Sequence, residues 1–295
     1  MGRSIASSSV FTVGNNDKLS QINLTALNLS SEPVKNLSLS LGSSYRRINA
    51  ALPDLFPLDF VHEPSILGTK NSLNQIDFTA RILYTPGRKT IGYGVSPRAV
   101  NEDFSSLMIQ FVHGQKGLLD SDFNFNRLQL SYTRPWQIGR LGTLRSSIEA
   151  GKTFDPLPLA LLHVVPGNQT LFSIYNTFPN LDFYEFVTDT YVSGHLEHNF
   201  NGRLFSRIPF LRALNLREIV GIRAVWGSLS EENRVLNAPS TLSLNAPEKN
   251  AYWEYSLGIG NIFKIFRIDA NFRGNYLDRP GARPFSITGS FGFGF

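Results

Sequence analysis

Apolar and polar residues alternate in twos along much of this chain, while the i, i+3, i+4, i+7 spacing of an amphipathic helix is hard to find. The segment "FRIDANFR" sets Phe266, Ile268, Ala270 and Phe272 against Arg267, Asp269, Asn271 and Arg273. Just before it, "WEYSLGIG" sets Trp253, Tyr255, Leu257 and Ile259 against Glu254, Ser256, Gly258 and Gly260. "NQIDFTARILY" opposes Ile76, Phe78, Ala80, Ile82 and Tyr84 to Asp77, Thr79 and Arg81, and "RLQLSYTRPW" repeats the pattern from Arg127 to Trp136. The last residues, "PFSITGSFGFGF", put Phe285, Ile287, Phe291, Phe293 and Phe295 on one side. Between Leu214 and Trp226 the alternation holds only if Glu218 is tolerated or a bulge intervenes.

This periodicity predicts strands at about 4–13, 20–28, 36–46, 74–85, 104–113, 125–137, 140–152, 187–200, 214–227, 251–260, 262–274 and 284–295. Many of these exceed the usual five or six residues of a globular strand. Tilted strands of about 9–11 residues or more are what crossing a bilayer demands. The links between them also alternate. Those at about 47–73, 114–124, 153–186, 228–250 and 275–283 are mostly long. The intervening ones at Ile138–Gly139 and Gly260–Asn261 are very short, and 29–35 and 201–213 are intermediate. Short turns on one side and long loops on the other are the pattern of an outer-membrane barrel with periplasmic turns. The link 86–103 breaks that rule, so either a strand is misplaced there or the turn carries extra structure.

The expected fold is therefore all-β, an antiparallel transmembrane β-barrel of about twelve strands in this chain. Closure would explain the aromatic ending. A last strand that pairs with the first lets a chain stop inside the lipid band without an open edge.

Composition narrows this without overturning it. In 295 residues, 17% are charged, below the usual quarter, and mean hydropathy is slightly polar. The longest apolar run, "PLPLALLHVVP" from Pro156 to Pro166, is too short for a spanning helix. Cysteine is absent, which excludes disulfides, thiolate metal sites and a cysteine nucleophile. The net charge of +5 is spread along the chain, whereas a nucleic-acid binder would cluster its basic residues. After Met1, "GRSIASSSVFTV" lacks a secretory h-region and cleavage site, so an exported protein with this start is expected to be a truncation or mature numbering with an added methionine.

Several segments resemble known families. The aromatic terminal strand ending in Phe resembles the signal that the outer-membrane assembly machinery recognises in its clients. That implies the role for Phe291, Phe293 and Phe295 and makes the machinery a partner. "TDTYVSGHLEHNF", "LREIVGIRAVWG", "YWEYSLGIGNIFKIFRIDANF" and "FSITGSFGFGF" resemble the end of the BamA/TamA/FhaC-type barrel superfamily. The stretch from His195 to Asn233 is similar to uncharacterised bacterial outer-membrane proteins in which a carboxypeptidase-regulatory-like β-sandwich precedes such a barrel. The resemblance implies that residues 1–295 are the C-terminal portion of a sixteen-stranded barrel in the bacterial outer membrane, with about four strands, any N-terminal domain and the signal peptide upstream. A self-contained barrel of twelve strands is the alternative. The superfamily's lumenal loop would fall on 153–186, yet that loop lacks the Val-Arg-Gly-Phe/Tyr tip, which argues against assembly or translocase activity of the BamA kind.

Candidate chemistry lies on the inward parity. Asp189, Tyr191, His195 and Glu197 share one side of their strand, and a His-x-Glu pair is able to bind metal or act as a base. Against this, barrel interiors are polar as a rule, and the pair is more simply read as hydrogen-bonded wall. Arg223, Glu254, Arg267, Asp269 and Arg273 point inward from adjacent strands, either as a charged constriction that selects solutes or as a salt-bridge network that braces the barrel or clamps the long loop; bracing is preferred. His198 is on the other face and is read as interfacial. The basic link "NGRLFSRIPFLRALNLRE" is either an amphipathic segment on the bilayer or a partner's docking site, or an ordinary link whose arginines meet headgroups. The loop 153–186 is too apolar for an extracellular loop and is expected to fold into the lumen as a plug.

The reading is an outer-membrane barrel with a structural or envelope transport and assembly role, without enzymatic activity, metal, cofactor or nucleic acid, surrounded by outer-membrane lipid. Two alternatives stand beside it: a barrel enzyme using His195 and Glu197, and a soluble β-rich binding protein whose apolar faces would pack against each other.

Overall fold

The computed structural model describes residues 18–61, 69–92, 98–240 and 242–292. One antiparallel sheet of eleven strands dominates them. In order these are β1 (Ser20–Val34), β2 (Leu37–Ala50), β3 (Ser72–Tyr84), β4 (Ser106–Gly114), β5 (Phe125–Gln137) and β6 (Thr143–Thr153). There follow β7 (Thr190–Asn199), β8 (Arg217–Ser228), β9 (Tyr252–Ile262), β10 (Phe266–Arg273) and β11 (Phe285–Phe291). Each strand pairs with its neighbours in the chain, so the sheet is a pure meander. All eleven correspond to strands expected from the alternation; the expected strand 4–13 lies outside the described residues.

The exposure pattern is inside out for a protein in water. Along β9, Tyr252, Glu254, Ser256, Gly258 and Gly260 are buried, while Trp253, Tyr255, Leu257 and Ile259 are exposed. Along β10 the buried residues are Asp269, Asn271 and Arg273. An antiparallel sheet facing water on one side buries its apolar face; this one buries its polar face. The outward side chains form a continuous apolar surface across the register. Tyr255 stacks on Phe272 with ring centroids 4.9 Å apart, and Phe272 meets Phe285 at 5.1 Å. The apolar faces do not pack against each other, as the soluble alternative required.

β8 needs no bulge. Its pairing with β9 runs without a shift from Arg217↔Gly260 to Val225↔Tyr252, and Glu218 is accommodated on the outward parity at the strand's end. There the link 200–216 folds over it and the Phe205 backbone N–H donates to its carboxylate.

The links segregate as expected. At one end they are short, save for 200–216 and 85–105. The latter holds a small hairpin, Thr90–Ile91 against Arg98–Ala99, so the turn carries extra structure and no strand was misplaced. The turn between β5 and β6 packs its Gly142, at φ 93°, so tightly that a Cβ would lie 2.0 Å from the Asn199 carbonyl oxygen. At the other end the long links build a cap with its own apolar core. Phe56, Leu58, Phe60, Leu157, Leu159, Leu161, Val187 and Leu229 are buried there together with Leu73 and Phe125 from the strands. A short helix, α1 (Pro209–Arg212), lies in the link 200–216, and α2 (Glu231–Leu236) lies in the cap.

The two margins of the sheet are β1 and β11. β1 is exposed along almost its whole length on both faces. The outer edge of β11 is met by the long link between β6 and β7, through a parallel bridge between Phe172 and Gly289. Pairing of β11 with a first strand, which the aromatic ending suggested, is not among the described pairings; a segment of the chain's own loop holds that place.

Candidate functional site

The inward face of β6–β11 and the link 154–189 form one polar interface. Period-two alternation puts Glu197, Arg223, Glu254, Arg267, Asp269 and Arg273 on the same side of adjacent strands, and the register brings them into contact. Arg267 is held between two carboxylates: Nη2 is 2.7 Å from Glu197 Oε2 and 2.8 Å from Asp269 Oδ1. Arg223 lies 3.9 Å from Glu254 Oε2 and donates to Ser256 Oγ at 3.3 Å. Glu254 is fully buried and is satisfied through its other oxygen, which accepts from the Tyr252 hydroxyl at 2.5 Å and from the backbone N–H of Asn180 at 3.0 Å.

Asn180 belongs to the link, and the grip on the link continues at Arg273. Its guanidinium, with no exposed side-chain surface, sits 2.6 Å from Glu185 Oε1 and donates to the Asn180 and Tyr276 carbonyls at 3.3 and 2.8 Å. Farther along, the Ser173 hydroxyl lies 2.9 Å from Thr288 Oγ1 and 3.3 Å from Asp269 Oδ2, within hydrogen-bond reach of both. Asn176 donates to Ser147 Oγ at 3.1 Å. Apolar contacts accompany these bonds: Phe178 packs on Tyr252 and on His195, and Phe186 packs on Tyr252 and Tyr276. The link thus lies against the polar wall, as a lumenal plug would.

Of the residues expected to form the inward cluster, seven lie on this wall: His195, Glu197, Arg223, Glu254, Arg267, Asp269 and Arg273. His195 takes part through its ring against Phe178, with centroids 5.0 Å apart. Glu197, the other half of the His-x-Glu pair, is engaged by Arg267. Asp189 is set apart. It precedes β7 and accepts from Ser230 N–H at 2.6 Å and Asn233 Nδ2 at 2.9 Å, so it anchors α2 in the cap and does not join the cluster. His198 faces outward, where a ring nitrogen pairs with the Leu141 carbonyl at 2.8 Å. Phe291 ends β11 and is 67% exposed, while Phe293 and Phe295 lie outside the described residues.

Three sets of contacts escaped the sequence reading. One is Glu185, the loop partner of Arg273. The second is a relay across β3–β7 in which Arg81 donates to Gln110, Gln110 to Gln129, Gln129 to Tyr191, and Tyr191 to Glu149. The third is the pair Asn233 and Asn237, whose side-chain oxygens accept from the backbone N–H groups of Leu157 and Leu159 at 2.8 and 2.6 Å. Parity marked the relay's residues as inward. Nothing in the alternation marked the other two. A cavity of about 260 Å³ remains toward the short-turn end, lined by Glu102, Thr133, Arg145 and Tyr175 among others.

A model of the family of unknown function (DUF5686) C-terminal domain matches residues 63–232. Among solved structures, BamA from Haemophilus ducreyi lacking POTRA domains 1–3 is similar, with a TM-score of 0.53 at 13% identity. That match covers 92% of this chain and 54% of the other, so the chain spans about half the length of that relative. CdiB from Acinetobacter baumannii aligns with a TM-score of 0.45 at 10% identity, over 93% of this chain and 50% of that one. No curated protein matches. The likeness to BamA at this identity concerns the fold alone: an all-β, antiparallel, barrel-type sheet.

Proposed function

The chain belongs to the family of unknown function DUF5686, whose C-terminal domain it carries, and from this premise we propose that it forms part of an outer-membrane β-barrel whose lumen is closed by the link 154–189. The observation that carries this reading is the inverted exposure of the sheet. A wall that buries Glu254, Asp269 and Arg273 and displays Trp253, Tyr255, Leu257 and Ile259 suits a solvent that is apolar outside and polar within. The finer reading is that the chain contributes the C-terminal portion of a sixteen-stranded barrel, preceded by a carboxypeptidase-regulatory-like domain. The BamA-type fold and the half-length coverage support the larger barrel; the preceding domain rests on the sequence resemblance alone.

The role proposed is structural, or in envelope transport and assembly, and not enzymatic. The inward charges serve as a brace: Arg267 bridges Glu197 and Asp269, and Arg273 grips the link, so the carboxylate of the His195–Glu197 pair is engaged in an ion pair. Outer-membrane lipid surrounds the apolar face, and Phe291, Phe293 and Phe295 present the terminal strand to the assembly machinery.

Heat-modifiable gel mobility in detergent tests the reading, run on this chain and on one extended upstream. A compact, heat-sensitive band from the extended chain alone supports the sixteen-stranded barrel, and one from this chain alone supports a self-contained barrel. A chain that is monomeric, folded and unchanged by heat without detergent overturns both.

A further inference from the structure

We propose that the short-turn end of the sheet carries a docking ledge for the anionic headgroups of the bilayer leaflet it faces. The inference rests on the outer-membrane reading above and adds a lipid partner to it.

Three neighbouring links compose the ledge: 138–142 between β5 and β6, 200–216 between β7 and β8, and 263–265 between β9 and β10. They are fastened to one another. Arg203 Nη1 donates to the Arg140 carbonyl at 2.9 Å, His198 pairs with the Leu141 carbonyl at 2.8 Å, and Asn261 Nδ2 donates to the Asn215 carbonyl at 2.7 Å. The middle link is also fixed on the outward side of the wall, because Glu218, on the outward parity, takes the Phe205 N–H. The ledge therefore continues the apolar outer surface and does not hang below the lumen.

Its composition is that of an interfacial element, with large apolar groups beside unpaired cations. Phe263 is 90% exposed, Phe210 75% and Leu214 57%, more than most outward residues of the strands. Arg140, Arg207, Arg212 and Lys264 are exposed, and none forms an ion pair among the described residues. None of the three links contains Asp or Glu. The opposite end is different: its links carry Asp182, Glu185, Glu231, Glu232 and Glu248. A positive net charge is thus polarised toward one rim. Aromatic side chains seat at the headgroup level, and guanidinium and ammonium groups beside them meet phosphate. A soluble acidic partner would satisfy the cations but would not need the apolar groups aligned with the lipid-facing wall.

The test uses the full-length protein reconstituted in phosphatidylcholine bilayers, with trace spin-labelled phosphatidylglycerol or spin-labelled phosphatidylcholine. The expected result is several-fold preferential association of phosphatidylglycerol at low salt, declining as salt is raised. The variant Arg140→Gln/Arg207→Gln/Arg212→Gln/Lys264→Gln, checked for retained heat-modifiable mobility, should lose the preference. Lys116→Gln/Lys249→Gln, at the opposite end, should keep it. A protein that enters the bilayer with no preference, or a quadruple variant that folds and keeps the preference, overturns the ledge alone. Failure of the full-length protein to enter the bilayer overturns the barrel reading and the ledge with it.

Discussion

Phe172 pairs in parallel with Gly289, so a residue of the long link takes the outer edge of the last described strand. The Gly289 N–H donates to the Leu171 carbonyl and the Ser173 N–H to the Gly289 carbonyl, both at 2.7 Å. An unpaired edge in an apolar medium leaves donors and acceptors unsatisfied at several kcal/mol each. The link supplies partners at that point while its side chains reach Thr288 and Asp269 behind the edge.

Replacing Ser173 by proline removes the donor to Gly289 and both hydroxyl bonds. The tip of the link should then detach, with a cost of about 2–3 kcal/mol from the lost hydrogen bonds. Amide exchange over residues 168–180 should accelerate while β9 and β10 stay protected. Unchanged exchange would mean that the pairing contributes nothing to holding the tip.

Arg273 and Glu185 form a buried ion pair between wall and link, with side-chain exposures of 0% and 13%. Arg273→Gln strands the carboxylate and should cost about 3–5 kcal/mol in urea unfolding. The double change Arg273→Leu/Glu185→Leu should recover part of this, since two apolar groups leave no buried charge. Recovery should be incomplete, because Arg273 also donates to the carbonyls of Asn180, Asn275 and Tyr276. Equal losses in the single and double variants would sink the account of this pair as a coupled clamp.

In the cap, Asn233→Ala and Asn237→Ala each leave a buried backbone N–H without its acceptor, at about 1–3 kcal/mol. Proteolytic nicking within 156–165 should rise in either variant while heat-modifiable mobility persists. If mobility is lost as well, the cap and the sheet fold as one unit.

Leu257 is exposed on the outward face of β9. In water, Leu257→Arg would be nearly neutral. In a bilayer it should cost about 2–4 kcal/mol if the site lies near the midplane, lowering the yield of folding into phospholipid vesicles. Full folding yield with the arginine in place would contradict a lipid-facing wall.

Much of the wall is legible in the chain's own periodicity. Alternation in "WEYSLGIG" and "FRIDANFR" assigns each residue a side, and the opposite sides are exposed and buried as a barrel demands. The short links locate the hairpins. Where the pattern wavers, at Glu218, the cause is a link lying over the strand, which a pattern confined to one strand does not encode. Asp189 shows the same limit. Its parity is inward, yet its partners are Ser230 and Asn233 in a neighbouring link.

Period two is a property of the extended backbone, so the chain alone dictates which side of a strand Glu254 or Arg273 occupies. It does not dictate what meets them there. Asn180 reaches Glu254 and Glu185 reaches Arg273 because a link of irregular conformation folds back across the sheet. No local periodicity describes that path. The partner of each inward charge, and the segment that takes the edge at Gly289, emerge once the strands and the link are assembled, because contacts between residues so far apart in the chain are satisfied collectively.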